Sequence, residues 1–324
     1  MLNTKRLMRL EIFGLLFAAF SSLFVTVGNN PLTKLFPTDL SPFAPFYGAK
    51  GEEQQNPPLR LRGVRGVAEN PPSINAHSAW VGCLCDEPPL FAKYSSAQLP
   101  LASITKIMTS YMALREFGPD YLVTISDEAI ATEGIAGGLQ AGERLAIKDL
   151  ITMAMTYSSN DVAMALAEAL GKANGAENFA DAIAFAVRLM NDEAHTLGMR
   201  HTFFQNPTGL DFEHGPSNFS TAEDWAILLE ATRVQPLLWD LARDPVPRVV
   251  SAGGIAHELI NLNPFRSFPH YVGGKTGTTD FAGENLVMLF ERPLGKLEAL
   301  ILFGAPVGAR EAEAKKLLDW IASF

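Results

Sequence analysis

The sequence predicts an α+β domain whose sheet is mainly antiparallel. Two observations carry this. Strand-like runs stand near both ends of the C-terminal three quarters of the chain, and a long stretch of helical periodicity lies between them. A final helix follows the last strands, so the order is strands, helices, strands, helix. That segregation lets an antiparallel sheet assemble from both ends of the chain. The chain's 324 residues, 48% of them hydrophobic, supply the apolar mass for one large or two small cores.

Each element has its own signal. Residues 79–85 and 90–94 read as strands. Apolar residues at helical spacing mark 103–117, 147–157, 161–170, 176–197 and 221–232. Strand-like runs return at 255–260, 285–290 and 297–303. The last helix covers about residues 310–323, with Leu317, Leu318, Trp320 and Ile321 on its apolar side. Cys83 and Cys85, two apart in the first strand, would share one face. No second pair exists for a metal site, so they read as buried free thiols.

Ahead of this domain the chain is different. Lys5, Arg6 and Arg9 precede an apolar run from Ile12 to Val27, the pattern of an export signal or signal anchor. As a helix the run spans roughly 24 Å, short for a bilayer core of about 30 Å and long for a signal-peptide core. Small residues for a cleavage site are poor, Thr26 and Gly28 being the best pair, so residues 1–30 read as an uncleaved anchor in preference to a cleaved signal. Residues 31–72 carry eight of the 21 prolines and read as a semi-extended tether. The expected plan is anchor, tether, and a globular domain over 73–324 outside the cytoplasm.

Charge and motif content exclude several classes. With 26 basic and 35 acidic residues the chain lacks the basic balance of a nucleic-acid binder. Gly273–Gly277 misses a phosphate-binding loop because Pro269 stands where glycine is needed. His257-Glu258 lacks the second histidine of a zinc protease motif, and no Gly-x-Ser-x-Gly occurs. No metal or organic cofactor is implied.

Three short motifs remain, in order: Ser103-Ile104-Thr105-Lys106, Ser158-Ser159-Asn160 and Lys275-Thr276-Gly277. Each alone is weak, since Ser-x-x-Lys and Ser-x-Asn at helix starts are usually caps and Lys-Thr-Gly is usually a turn or a strand entering one. Together they make chemical sense. Three residues apart on a helix, Ser103 and Lys106 lie on one face. A serine hydroxyl needs a neighbouring base, and a lysine serves if burial and a second cation, here Lys275, keep it neutral. Ser158 can relay the proton to a leaving nitrogen, and Asn160 can hold a substrate amide.

The order and spacing match the signature of the penicillin-recognising serine enzymes. Beyond the motifs, LPLASITKIMTSYMAL, SSNDVAMALAE, LGMRHTFFQNPTGLD, STAEDWAIL, KTGTTDFAGENL and GAREAEAKKLLDW resemble segments of the low-molecular-mass penicillin-binding proteins, serine-type D-alanyl-D-alanine carboxypeptidases. The likeness covers roughly residues 74–324. It implies a β-lactamase/transpeptidase-like fold, an antiparallel sheet of about five strands flanked by a helical cluster. It also implies that Ser103 is acylated with Lys106 as its base and Ser158 in the second motif with Asn160. Lys275, Thr276 and Gly277 would line the substrate, with Arg310 helping to bind its carboxylate. Backbone N–H groups of Ser103 and Thr278 would form an oxyanion hole. The expected partners are peptidoglycan stem peptides and, as covalent inhibitors, β-lactams.

Thr278 stands where a large subgroup has histidine, and Ser159 where glycine is common. The β-rich C-terminal domain and amphipathic tail of some relatives are not expected, the N-terminal anchor taking the tail's place. Three alternatives keep the same motifs: a D,D-endopeptidase, a β-lactamase, and a non-catalytic peptidoglycan-binding homologue. The β-lactamase needs a further glutamate to activate the deacylating water. Glu258, the nearest candidate, lies too close to Lys275, so a long-lived acyl-enzyme with penicillin is expected.

Overall fold

The computed structural model describes residues 71–85, 87–292 and 295–323. The expected anchor 1–30, and the tether as far as residue 70, lie outside the described residues. Among the described residues no helix is long and apolar enough to cross a membrane.

The chain enters the domain through strands β1 (Ser78–Cys83), β2 (Phe91–Lys93) and β3 (Leu99–Pro100). A 3-10 turn (Ala102–Thr105) runs directly into helix α1 (Lys106–Phe117). The helical region continues through β4 (Leu122–Thr124), α2 (Asp127–Ile130), β5 (Arg144–Ala146) and α3 (Ile147–Thr152), which ends in a π turn (Met153–Tyr157). Then come α4 (Asn160–Ala173), α5 (Phe179–Leu197), β6 (Phe219–Ser220), α6 (Ala222–Thr232) and α7 (Pro236–Ala242). The chain returns through the hairpin β7 (Arg248–Val250) and β8 (Ala256–Glu258). It ends with β9 (Tyr271–Thr279), β10 (Gly283–Arg292), β11 (Lys296–Ala305) and α8 (Arg310–Ile321).

The main sheet has five antiparallel strands in the order β2-β1-β11-β10-β9, so both ends of the domain do build it. Strand periodicity divides its two faces. Ala79, Val81, Leu286, Met288, Leu300 and Leu302 pack on one side against Ala314, Leu317, Leu318 and Ile321 of α8. On the other side Trp225 of α6 meets Phe303 edge-on, ring centroids 6.3 Å apart. Each such fully buried side chain contributes about 1.5–3 kcal/mol.

Two expectations are corrected. The fifth strand of the sheet is β9, whereas the run at 255–260 forms β8 of a separate two-stranded hairpin. Glycines at 273, 274 and 277 dilute the apolar pattern of β9, which hid it. Gly277 is required by close approach: a Cβ there would lie 2.9 Å from the Ser103 nitrogen. Cys83 and Cys85 are not free thiols but a disulfide. Strand β1 ends at Cys83, and the bend that follows brings the two Cα atoms to 5.3 Å, within bridging range.

Candidate active site

Ser103 lies in the 3-10 turn ahead of α1, where side chains at i and i+3 eclipse one another. This brings Ser103 Oγ to 2.8 Å from Lys106 Nζ. The backbone that delivers it is pinned from several sides. Asn285 of β10 donates to the carbonyls of Pro100 and Leu101 at 2.9 and 3.0 Å. The Leu101 N–H reaches the Asn218 carbonyl at 3.0 Å, and the Asn218 side chain donates to Thr105 Oγ1 at 2.9 Å. Ala102, at φ 50°, holds a backbone conformation that L-residues adopt at a cost, a strain located one residue before the nucleophile.

Lys106 is fully buried and makes three polar contacts: Ser103 Oγ at 2.8 Å, Asn160 Oδ1 at 2.7 Å and the Thr208 carbonyl at 2.8 Å. Burial first, and then the charge of Lys275, hold its pKa well below that of an ordinary lysine; Asp161 opposes them. A neutral amine has two N–H donors and one lone pair. Asn160 Oδ1 and the Thr208 carbonyl take the donors, which leaves the lone pair to accept the Ser103 O–H.

The Thr208 carbonyl comes from a loop the motifs did not include. Asn206 Oδ1 accepts from the N–H groups of Thr208 and Gly209 at 3.1 and 2.7 Å. Gly209 has φ 82°, and a Cβ on it would sit 1.8 Å from the Ala102 carbonyl oxygen, so only glycine fits. The segment QNPTGLD carried this signal in the sequence, but spacing alone gave no reason to aim it at a lysine.

The second motif follows the π turn. Ser158 caps that turn in the left-handed region, φ 66°, and its Oγ accepts from Lys275 Nζ at 2.9 Å. Asn160 opens α4, and its Nδ2 donates to the Glu133 carbonyl at 2.9 Å while its N–H reaches the Ile135 carbonyl at 2.7 Å. Asp161 accepts from Gly137 N–H at 3.0 Å and from the Ser159 hydroxyl. The loop 133–137 is thereby fixed over the motif, and Ser159 has a structural partner where glycine would have none.

Strand β9 forms the opposite side. Lys275 Nζ also donates to the Thr276 carbonyl at 2.7 Å. Burial first, and then the nearby Arg310 charge, lower its pKa to about 7. Arg310, at the start of α8, donates from Nη1 to Thr278 Oγ1 at 3.1 Å and to the Gly277 carbonyl at 3.3 Å. Its N–H bonds to Glu284 Oε2 at 3.0 Å. Thus Ser103, Lys106, Ser158 and Asn160 meet Lys275, Thr276, Gly277, Thr278 and Arg310 across one cleft. Glu258 is elsewhere, exposed and paired with Arg248 at 2.8 Å across the β7–β8 hairpin. Among the described residues no group of His, Cys, Asp or Glu could hold a metal ion.

Comparison with known proteins gives a consistent picture. The model of the D-alanyl-D-alanine carboxypeptidase family matches residues 66–302. A D-alanyl-D-alanine carboxypeptidase of Salmonella typhimurium is 30% identical over 268 residues, 78% of this chain and 64% of that protein. A D-alanyl-D-alanine endopeptidase of Pseudomonas aeruginosa is 29% identical over 242 residues, 72% of each chain. Among solved structures, a penicillin-binding protein homologue from Mycobacterium tuberculosis superposes with a TM-score of 0.70 at 25% identity, covering 79% of this chain and 94% of that one.

Proposed function

The chain belongs to the D-alanyl-D-alanine carboxypeptidase family, and from that premise we propose that it removes the terminal D-alanine from peptidoglycan stem pentapeptides through an acyl-enzyme on Ser103. The observation that carries the reading is the set of contacts around Lys106, whose Nζ lies 2.8 Å from Ser103 Oγ while Asn160 Oδ1 and the Thr208 carbonyl accept from it. Ser103 Oγ attacks the carbonyl carbon between the two D-alanines as its proton passes to Lys106 Nζ. The developing oxyanion is held by the backbone N–H groups of Ser103 and Thr278. Ser158 passes a proton to the leaving nitrogen, D-alanine departs, and water then releases the tetrapeptide. Asn160 orients Lys106 and can hold a substrate amide. Lys275, Thr276 and Arg310 bind the terminal carboxylate, with Gly277 admitting β9 against the nucleophile. β-Lactams enter as acylating analogues of the same bond.

The protein acts outside the cytoplasm, on the cell-wall side, and residues 1–30 anchor it to the membrane with 31–72 as tether and 73–324 as catalytic domain. The Cys83–Cys85 disulfide suits an oxidising compartment. A second reading is supported by the endopeptidase among the relatives: the same machinery would cut D-alanyl cross-links. The test is to incubate the protein with a synthetic pentapeptide and a cross-linked muropeptide and to identify the products by mass. Free D-alanine and tetrapeptide are expected, whereas monomers from the cross-linked substrate alone favour the endopeptidase. Ser103→Ala should lose both D-alanine release and covalent penicillin labelling; undiminished release from that variant refutes the assignment.

A further inference from the structure

At the far side of the sheet, two strands beyond β9 and β10, the Cys83–Cys85 bridge has chemical company. Register pairs Cys83 of β1 with Glu298 of β11, and Glu298 with Phe290 of β10. Directly opposed residues share a face with Cβ atoms about 4.5–5.5 Å apart. That face is the apolar one under α8, where Val81 opposes Leu300 and Ala79 opposes Leu302. A carboxyl therefore ends an otherwise hydrocarbon row, 3% exposed, with Oε2 lacking any hydrogen-bond partner among the described residues. Such a group costs stability unless it has work to do.

We propose that Cys83 and Cys85 form a thiol–disulfide exchange centre, with Glu298 as the proton donor and acceptor for Cys83 and external thiols as its substrates. Three further features support this. The bridge closes a ring with one intervening residue, so little chain entropy favours it, and its Cys85 side is exposed to attack while Cys83 is only partly so. Leu84 between them is fixed by its N–H to the Leu297 carbonyl at 3.2 Å and by Arg233 Nη1 on its own carbonyl at 2.7 Å. The reduced thiols thus stay adjacent, and the bridge can re-form.

The exchange is balanced. A thiolate RS⁻ attacks Cys85 Sγ, forming RS–S–Cys85 and releasing the Cys83 thiolate, which takes the Glu298 proton. A second thiolate attacks the RS sulfur, releases the Cys85 thiolate and leaves as RSSR. Two thiols are oxidised, one disulfide is reduced, and the protons lost by the thiols return through solvent to Cys85 and Glu298.

The groups facing the carboxyl are Arg292, whose Nη1 lies 3.4 Å from Oε1, together with Lys296 and Glu87, themselves paired at 2.9 Å, and Arg233 beside Leu84. Burial raises the Glu298 pKa from its ordinary value, with Arg292 opposing it. That direction favours the protonated carboxyl the exchange step calls for.

The test uses the folded protein in millimolar reduced glutathione, with thiols trapped by alkylation and read by mass. Expected are a glutathione adduct on Cys85, then two alkylated cysteines. Glu298→Gln should slow opening at neutral pH on the order of a hundredfold, the usual reach of a positioned acid. A bridge that opens only after denaturation overturns the proposal, and so does an unchanged rate in Glu298→Gln. Should that variant not fold, the wild-type rate against pH decides. An inflection from the carboxyl beneath the thiolate rise supports the centre, and a plain thiolate curve refutes it.

Discussion

Gly277→Ala tests the packing on which the cleft depends. At this position φ is ordinary, so alanine meets no backbone penalty and the perturbation is purely one of space. The added Cβ would lie 2.9 Å from the Ser103 nitrogen, 3.0 Å from the Ile104 nitrogen and 3.1 Å from the Ala102 Cβ. All three atoms belong to the pinned turn, so none can rotate away. The first contact is about half an ångström short of ordinary van der Waals distance, and β9 must retreat by that much. Overpacking of this kind costs about 1–3 kcal/mol, which for a domain of this size lowers Tm by about 2–4 °C per kcal/mol. The kinetic effect should exceed the thermal one. The retreat moves Lys275, Thr276 and Thr278 away from Ser103; misplacement by about an ångström costs on the order of a hundredfold in rate, so half of that should cost about tenfold. The assay is the second-order rate of labelling by a fluorescent penicillin, beside a melting curve. Gly253→Ala is the control, with ordinary φ and its nearest neighbour 3.9 Å away, and should match the wild type in both. A Gly277→Ala protein acylated within about threefold of the wild-type rate would refute the claim that β9 and the nucleophile turn are in obligatory contact.

Asn160→Asp would set a carboxylate at the 2.7 Å contact with Lys106 Nζ, raising the lysine's pKa and occupying its lone pair with a proton. Penicillin labelling should fall on the order of a hundredfold at neutral pH and recover as pH rises; a pH-independent loss would mean that Asn160 acts only on substrate. Lys275 has its folded pKa lowered to about 7 from 10.5, so between those values the unfolded chain binds a proton that the folded one lacks. Stability should therefore rise with pH across that window, by up to about 1.4 kcal/mol per unit from this group, and urea titrations of Lys275→Met should show the slope reduced by one proton. Arg310→Ala should reduce peptide turnover more than penicillin acylation, since a lost charge-assisted bond costs about 1.5–3 kcal/mol. Equal losses would assign Arg310 to holding Gly277 and Thr278 in place.

Much of this was legible in the sequence because the chemistry is written in short segments. Ser103 and Lys106 sit one helical turn apart, and Lys275 lies in a segment whose order relative to them is fixed. The runs that read most clearly, 285–290 and 297–303, are buried almost throughout and contain no glycine. Strand β9 did not, because close approach to Ser103 demands Gly277 and glycine erases the apolar signal. Thr208 was invisible for a different reason: it contributes a backbone carbonyl, which any residue has, and only the fold aims it. The disulfide was missed because i and i+2 in an extended strand, though on one face, stand about 6.6 Å apart at the edge of bridging range, and nothing local announced the bend after Cys83.

The electrostatics of the cleft run as a chain. Three basic groups, Lys106, Lys275 and Arg310, are largely buried together, and charge on one lowers the pKa of the next: Arg310 acts on Lys275, and Lys275 on Lys106. Lys275, with its pKa lowered to about 7, is the link in that chain most readily shifted by a further charge. A peptide carboxylate arriving beside Arg310 favours the charged form of Lys275. Once charged, Lys275 disfavours a proton on Lys106 more strongly, which frees the lone pair that Ser103 needs. Under the proposed function, an anion bound beside Arg310 would thus also bias the protonation state of the base. A neutral ligand of the same shape would fill the cleft without triggering that shift, so the proposed function couples recognition to activation through one chain of charges.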